Sequence, residues 1–275
     1  MTGVLRAFVI PFVLALASPA MAQEKTGVTQ EMAQPGESTV APTPKASPIG
    51  VVQEVPLPRA GGVLVFGGSR GVGLEAVKVL VAMKEKVTVV THSSPNSPEL
   101  KALGVTVMSG DALNPESLKD IFTNGPYRAV ISTLGGKRGE PRPDFEGNKN
   151  VIDATKKTGI PRFIMVTSIG AGDSGMTPPL IARWFLKEIL IEKTKAEEYL
   201  KASGLDYTII RPGGLLDKPA SGKSTLTPDV KLYSWVSRAD VGKLVAETVK
   251  NDDTIKKTFS TFDPTRISFT SMFKD

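Results

Sequence analysis

A glycine-rich loop at residues 67–73 is the feature of this sequence that most constrains its fold. It directly follows the apolar run at residues 63–66 and opens a segment of helical periodicity at residues 74–83. Glycines permit a tight turn and let a phosphate approach the backbone, while the following helix offers free N–H groups and a partial positive charge. A strand, turn and helix in this order predict a nucleotide phosphate site, with a structural turn as the alternative. The predicted site comprises Gly67, Gly68, Ser69, Arg70, Gly71, Val72 and Gly73.

Beyond the loop, short apolar runs alternate with amphipathic segments. The predicted strands are residues 63–66, 87–91, 105–108, 129–133, 163–168 and 206–211, and the predicted helices are residues 74–83, 98–103, 115–122, 145–158 and 180–203. This alternation predicts an α/β fold, a doubly wound parallel sheet of the Rossmann-like type with helices on both faces. The β-branched runs fit strands that are buried on both sides. We expect one such domain over residues 60–265 and a C-terminal tail at 266–275.

The first 22 residues have the pattern of an export signal peptide. Arg6 precedes an apolar run at residues 7–18, and residues 20–22 form a small-x-small cleavage site. The run is short for a membrane span, so we expect cleavage after Ala22, with an uncleaved anchor or organelle targeting as alternatives. Residues 23–59 lack apolar periodicity and are rich in Pro, Gly, Ser and Thr, which predicts a flexible linker. The expected location is periplasmic, extracytoplasmic or lumenal, with an organelle as the alternative.

The composition excludes several chemistries. The chain has no cysteine and one histidine, His92, which excludes thiol catalysis, disulfides and cysteine- or histidine-rich metal sites. We therefore predict no metal. The formal net charge of +6 arises from scattered Lys and Arg residues, so we expect a solvated basic surface and no nucleic-acid partner. The sequence leaves membrane contact and oligomeric state open.

A series of ordered motifs resembles the short-chain dehydrogenase/reductase superfamily. The resemblance is to its atypical NAD(P)H-binding branch, which includes proteins similar to flavin and biliverdin reductases. Besides the glycine loop, it rests on Gly110-Asp111-Ala112, Gly147-Asn148, Val166-Thr167-Ser168-Ile169-Gly170-Ala171, Lys195-Ala196-Glu197, Ser203-Gly204-Leu205-Asp206-Tyr207-Thr208, Arg211-Pro212-Gly213-Gly214 and Ser237-Arg238-Ala239-Asp240-Val241. The resemblance implies a doubly wound fold, a nicotinamide nucleotide as partner and reductase chemistry.

By this resemblance, residues at the ends of successive strands border the cofactor. The implied contacts are Asp111 and Ala112 at the adenine, Thr133, Leu134 and Gly135 along the ribose, and Pro212 and Gly213 near the nicotinamide. Each segment has a simpler alternative, because Asp111 can cap the following turn and the others can be ordinary strand-end turns. Arg238 and Asp240 are expected to cap a helix or form a structural pair rather than contact substrate.

Two features favour NADPH over NADH. Glycines at 67, 71 and 73 match the standard short-chain reductases, whereas many atypical members have glycine at the position of Arg70. A guanidinium there can pair with a 2′-phosphate, and residues 91–94 lack the acidic residue that holds a free 2′-hydroxyl. Alternatively, Arg70 is a solvent-facing turn residue. His92 is either an exposed residue after the strand or part of the adenosine site.

The catalytic machinery departs from the Tyr-x-x-x-Lys pattern of standard short-chain reductases, in which lysine lowers the tyrosine pKa. The residues four positions after the tyrosines at 127, 199, 207 and 233 are Ile131, Ser203, Arg211 and Ser237. Counting back from residues 195–197 puts Lys193 near the family's lysine and Ile189 in the tyrosine's place. Lys193 is a candidate cofactor contact or a solvated helix lysine. Ser168 is a candidate for orienting a carbonyl or a strand-end hydroxyl bonded to backbone.

A reductase without this acid can position the nicotinamide against its substrate and take a proton from solvent. We expect an oxidoreductase of this kind, with a small carbonyl, quinone or flavin-type acceptor. The alternative is a non-catalytic nucleotide-binding scaffold, assembly or sensor protein.

Residues 176–190 combine two prolines with many apolar side chains. Core packing is the first expectation for them, and a pocket for a planar apolar substrate or a membrane or partner contact are the alternatives. The loop at residues 136–142 carries basic residues at the predicted ligand edge of the sheet. Such a loop can attract an anionic substrate or be an ordinary charged surface loop.

Overall fold

The computed structural model describes residues 60–92, 97–136 and 142–267. The strands are β1 (Gly62–Phe66), β2 (Val87–Thr91), β3 (Thr106–Ser109), β4 (Tyr127–Ser132), β5 (Arg162–Val166), β6 (Asp206–Arg211), β7 (Gly214–Leu216), β8 (Thr225–Thr227), β9 (Trp235–Ser237) and β10 (Lys257–Phe262). The α-helices are α1 (Gly71–Ala82), α2 (Pro98–Ala102), α3 (Lys119–Thr123), α4 (Glu146–Lys157), α5 (Leu180–Ala202) and α6 (Arg238–Thr248). The predicted signal peptide, linker, residues 93 and 94, most of the basic loop and most of the tail lie outside the described residues.

The main sheet has the strand order β3-β2-β1-β4-β5-β6-β10-β8. Its strands pair in parallel, except that β8 runs antiparallel to β10. Strands β7 and β9 form a separate parallel pair. The order reverses between β1 and β4, which in such sheets creates the crevice where ligands bind. The predicted doubly wound, Rossmann-like α/β fold is confirmed.

Helices cover both faces of the sheet because successive side chains of each strand point to opposite sides. Val63 and Val65 of β1 pack in a buried cluster with residues of α1, α2 and α6. Leu64 and Phe66 of the same strand pack in a second cluster with residues of α3, α4 and α5. Strand β1 therefore lies at the centre of both cores, and the glycine loop leaves from its carboxyl end.

Several predicted elements differ from the observed ones. Strand β5 ends at Val166, two residues before its predicted end. The predicted helix at residues 115–122 is a 3₁₀ turn (Pro115–Leu118) followed by the short α3. Strand β3 lies at the edge of the sheet with its ends exposed, so burial on both sides is wrong for this strand. No bounds were predicted for the elements after β6. Strands β7–β9 have three residues each and are too short to show a period, whereas the longer α6 and β10 were missed.

Candidate functional site

The glycine loop turns from β1 into α1 with no room for a side chain at Gly67 or Gly73. Gly67 (φ +79°) and Gly71 (φ +57°) adopt a left-handed backbone conformation that disfavours other residues. A Cβ atom on Gly67 would lie 2.6 Å from Thr133 Oγ1, and one on Gly73 would lie 2.3 Å from the Gly67 carbonyl oxygen. The loop is therefore a close-packed backbone turn that only glycine can build at these positions.

The N-terminus of α1 is suited to an anion. The N-cap residue, Arg70, makes no side-chain capping hydrogen bond, and the first turn contains no acidic residue. Leu74 N–H donates to the Arg70 carbonyl (3.2 Å). The N–H groups of residues 71–73 come before this first helical hydrogen bond and have no helical carbonyl to donate to. A nucleotide phosphate supplies the acceptors and the negative charge that such a helix start lacks.

The end of β4 is fastened to this loop. Thr133 N–H donates to the Phe66 carbonyl at 3.0 Å, and Thr133 Oγ1 donates to the Phe66 and Gly67 carbonyls at 3.1 and 3.2 Å. These hydrogen bonds place the predicted ribose segment, residues 133–135, directly beside the glycine loop, at the point where the strand order reverses. A Cβ on Gly147 would lie 3.3 Å from Ala112 and 3.8 Å from Leu134, so α4 brings the predicted adenine and ribose segments together.

On the other side of the loop, His92 and Asp111 face each other at the ends of β2 and β3. His92 Nε2 lies 3.7 Å from Asp111 Oδ2, and the His92 side chain is 72% exposed. Asp111 Oδ1 accepts a hydrogen bond from Leu113 N–H at 2.9 Å, which confirms the turn-capping interpretation. Arg70 is also exposed at this edge, where both proposed roles remain open to it.

Lys193 forms an ion pair beside the predicted ribose segment. Its Nζ lies 3.0 Å from Asp144 Oδ1, and the two side chains are 12% and 1% exposed. Asp144 Oδ2 accepts a hydrogen bond from Gly136 N–H at 3.0 Å, and Lys193 Nζ would lie 3.7 Å from a Cβ on Gly135. The solvated-lysine interpretation is therefore wrong. The sequence analysis did not single out Asp144, because a lone aspartate shortly before a helix indicates no more than a helix cap.

Ser168 follows β5 and donates a hydrogen bond to the Ile169 carbonyl at 3.0 Å. This is the backbone hydrogen bond that the strand-end interpretation of Ser168 predicts. Rotation about its Cβ–Oγ bond can redirect that proton toward a bound carbonyl.

A buried ionic network fixes the ends of β5 and β6. Arg211 is fully buried and donates to Glu197 through Nε (3.0 Å) and Nη2 (2.6 Å). Thr167 Oγ1 donates to the same carboxylate at 2.7 Å, and Arg211 also pairs with Asp173. Burial acts to lower the pKa of Arg211, but the bonds and charges of Glu197 and Asp173 raise it overall. The network positions Ser168 and Pro212, which follow its members in the chain.

The segment before β9 packs against the predicted nicotinamide residues. A Cβ on Gly213 would lie 2.2 Å from the Ser234 carbonyl, and one on Gly214 would lie 2.1 Å from the Trp235 ring. Burial raises the pKa of Tyr233, partly opposed by a hydrogen bond involving the Gly214 backbone. Sequence reasoning missed this contact because the two segments lie about 20 residues apart in the chain, well beyond the three or four residues that a helical turn brings together.

Asp240 has the expected structural role at the start of α6, and Arg238 forms an ion pair at the surface. Ser237 Oγ caps α6 by accepting from Asp240 N–H at 3.0 Å, and Asp240 also accepts from Ser221 N–H at 2.8 Å. Burial acts to raise the pKa of Asp240, but hydrogen bonds donated to its carboxylate by Ser237 Oγ, Ser221 and the Gly222 N–H lower it overall. Arg238 Nη1 donates to Asp217 Oδ1 at 2.7 Å.

The first turns of α5 expose large apolar side chains to solvent. Leu180, Ile181, Trp184 and Phe185 are 66–75% exposed, and we call this set the α5 apolar face. The core-packing expectation is wrong for these residues and holds for Leu190, which is buried. The buried residues of α5 are Leu190, Ala196, Glu197 and Leu200, so only its later turns pack against the core. Among the described residues, no helix is both long and apolar enough to cross a membrane.

Comparisons with known proteins agree with this geometry. Residues 67–252 match a family model described as NAD(P)H-binding. The fold is similar to that of ChuY, an anaerobilin reductase from Escherichia coli O157:H7, with a TM-score of 0.67, 32% identity and coverage of 74% of this chain and 97% of that one. Sanguinarine reductase of Eschscholzia californica is 36% identical over 64% of this chain and 63% of its own length. Photosystem II assembly factor Ycf39 of Synechocystis is 25% identical over 72% of this chain and 61% of its own length.

The chain spans between 40% and 64% of the length of the first curated relatives that it matches. Two of these relatives are named as chloroplastic proteins.

Proposed function

The chain belongs to the NAD(P)H-binding family, as an atypical member of the short-chain dehydrogenases/reductases, and from this premise we propose that it is an NADPH-dependent oxidoreductase. The carrying observation is the glycine loop, where a Cβ on Gly67 or Gly73 would collide with the end of β4 or with the loop itself. The proposed acceptor is a small carbonyl, quinone or flavin-type molecule.

In this proposal the protein supplies binding and orientation, and bound NADPH supplies the hydride. The N–H groups at the start of α1 hold the phosphates, and the Thr133–Gly135 segment with Lys193 holds the ribose. Ser168 orients the acceptor oxygen. Ile189 stands where standard members have a tyrosine, so solvent delivers the proton. The α5 apolar face favours a planar, apolar acceptor over a sugar.

Turnover tests this function directly. The purified chain should oxidise NADPH in the presence of at least one member of a panel of quinones, flavins and aromatic aldehydes, followed by loss of absorbance of the reduced nicotinamide. Replacing Ser168 with alanine should lower kcat while leaving NADPH affinity unchanged, because the serine is assigned to the acceptor. Tight NADPH binding without turnover across the panel would reject the enzyme and support the alternative below.

Replacing Arg70 with alanine should weaken NADPH binding more than NADH binding. Loss of a charge-assisted bond to the 2′-phosphate costs roughly 1.5–3 kcal/mol, or about 10- to 150-fold in affinity. Fluorescence titration of both nucleotides measures this difference. Lys86→Ala is the control, because it removes an exposed positive charge just before β2, at the opposite edge of the sheet. Equal affinities of the unaltered chain for NADPH and NADH would contradict the assignment of Arg70.

The second candidate is a non-catalytic nucleotide-binding scaffold or assembly protein. Two observations favour it: Ile189 replaces the catalytic tyrosine, and the α5 apolar face is exposed like a contact surface. The relative named as an assembly factor is consistent with it. We also propose an extracytoplasmic or organellar location, the latter in keeping with the chloroplastic relatives. A mature chain that still begins at Met1 would count against cleavage of an export signal.

A further inference from the structure

A cavity of about 360 Å³ lies beside the start of α1, on the side that faces α6. Its lining includes Gly71 and Glu75 of α1, Arg238 of α6 and the chain at residues 216–219. The predicted phosphate-binding loop therefore shares this space with residues of the motif at 237–241, to which no part in nucleotide binding has been assigned. The charged groups around this space decide what can enter it.

The Arg238 side chain lies next to the glycine loop. Its Cδ and Nε atoms would each lie 3.8 Å from a Cβ built on Gly71. The guanidinium therefore lies beside the helix start that the phosphates are proposed to occupy. It adds a full positive charge to the partial charge of the helix N-terminus.

The partner of Arg238 is weakly held. Arg238 Nη1 contacts Asp217 Oδ1 at 2.7 Å, but the Asp217 side chain is 85% exposed and that of Arg238 is 31% exposed. Exposed ion pairs contribute little to stability because water screens them. Arg238 can thus exchange Asp217 for a stronger anion at small cost.

The other charged residues that line the cavity do not prevent an anion from binding there. Glu75 is paired with Lys78 at 2.9 Å, and Lys218 adds a second positive charge to the lining. Asp217 is the carboxylate in direct contact with Arg238, and it would repel an approaching phosphate. Asp217 and a phosphate would therefore compete for the same guanidinium.

We propose that Arg238 binds the pyrophosphate of the nicotinamide nucleotide, and that Asp217 competes with the pyrophosphate for it. This inference rests on the proposed nucleotide-binding function. It assigns Arg238 to a part of the cofactor common to NADH and NADPH, whereas Arg70 is assigned to the 2′-phosphate. The two arginines should therefore respond differently to fragments of the nucleotide.

Calorimetric titration with two fragments tests the assignment. ADP-ribose carries the pyrophosphate without the 2′-phosphate, and 2′-AMP carries the 2′-phosphate without the pyrophosphate. Arg238→Gln should weaken ADP-ribose binding by roughly 10- to 100-fold, as expected for a lost bond between charged groups, and leave 2′-AMP binding unchanged. Arg70→Ala should do the reverse. Lys243→Gln removes an exposed charge from the same helix and is the matched control, with no expected effect on either fragment.

Asp217→Asn gives a second test that does not depend on the folding of the Arg238 variant. It removes the competitor and should strengthen ADP-ribose binding by about 1.5- to 5-fold, the range of an exposed ion pair. Weaker binding after this change would show that the pair acts as a structural unit and would overturn the proposal. Unchanged ADP-ribose binding by Arg238→Gln would overturn it as well, while leaving nucleotide binding intact. If the unaltered chain binds neither NADPH nor NADH, the proposed function fails and this inference fails with it.

Discussion

Replacing Gly73 with alanine should weaken NADPH binding by roughly 10- to 100-fold and destabilise the fold, because overpacking costs about 1–3 kcal/mol. The added Cβ would lie 2.3 Å from the Gly67 carbonyl oxygen and 2.5 Å from Thr133 Oγ1. The first of these atoms belongs to the backbone, so the loop or the end of β4 must move. Alanine is otherwise the better helix former by about 1 kcal/mol, so any loss arises from this collision. Nucleotide titration and chemical denaturation measure the two effects.

Two glycine variants separate collision from the mere addition of a methyl group. Gly125→Ala adds a Cβ 3.9 Å from Tyr127 Cζ, an ordinary van der Waals contact, so stability and affinity should both stay near those of the unaltered chain. Gly242→Ala would place a Cβ 2.5 Å from Glu75 Cβ, between α6 and α1 but away from the loop. It should lower stability with a smaller effect on affinity. NADPH binding at full strength by Gly73→Ala would refute the phosphate-cradle assignment.

Replacing Glu197 with alanine should lower the free energy of unfolding by about 3–5 kcal/mol, the cost of leaving a buried charge without its partner. Arg211 is fully buried, and its other carboxylate partner, Asp173, has a side chain that is 70% exposed. Screening by water makes Asp173 a poor substitute for the buried Glu197. Urea denaturation measures the loss. Because the network fixes the ends of β5 and β6, turnover should fall even where the protein remains folded.

A matched change on the same helix gives the reference for this loss. Glu192 pairs with Lys195 at 2.8 Å at the surface of α5, so Glu192→Ala should cost no more than about 1 kcal/mol. A double change, Glu197→Leu with Arg211→Met, removes both charges together and should recover much of the lost stability. Equal stability of the Glu192 and Glu197 variants would show that the buried network contributes nothing.

The parts of the site that were predicted are those carried by local sequence. The glycine loop was found because strand, turn and helix signals adjoin within residues 63–83, and each depends on its nearest neighbours. The parts that were missed pair residues distant in the chain. Asp144 meets Lys193 and Ser234 meets Gly213 only after the sheet has assembled. The α5 apolar face was misjudged for a related reason, since periodicity reveals an apolar stretch but not whether a neighbour covers it.

The sequence by itself determined the class of the fold, the order of most strands and helices, and the location of the glycine loop. Hydrophobic period and glycine position act over a few residues, so one sequence is enough to show them. Only the tertiary structure decided that Lys193 pairs with a buried carboxylate, that Arg211 and Glu197 fix the strand ends, and that Arg238 passes beside Gly71. Those outcomes depend on burial and on distances between separate elements, which set the strength of a charge interaction and are absent from the order of residues alone.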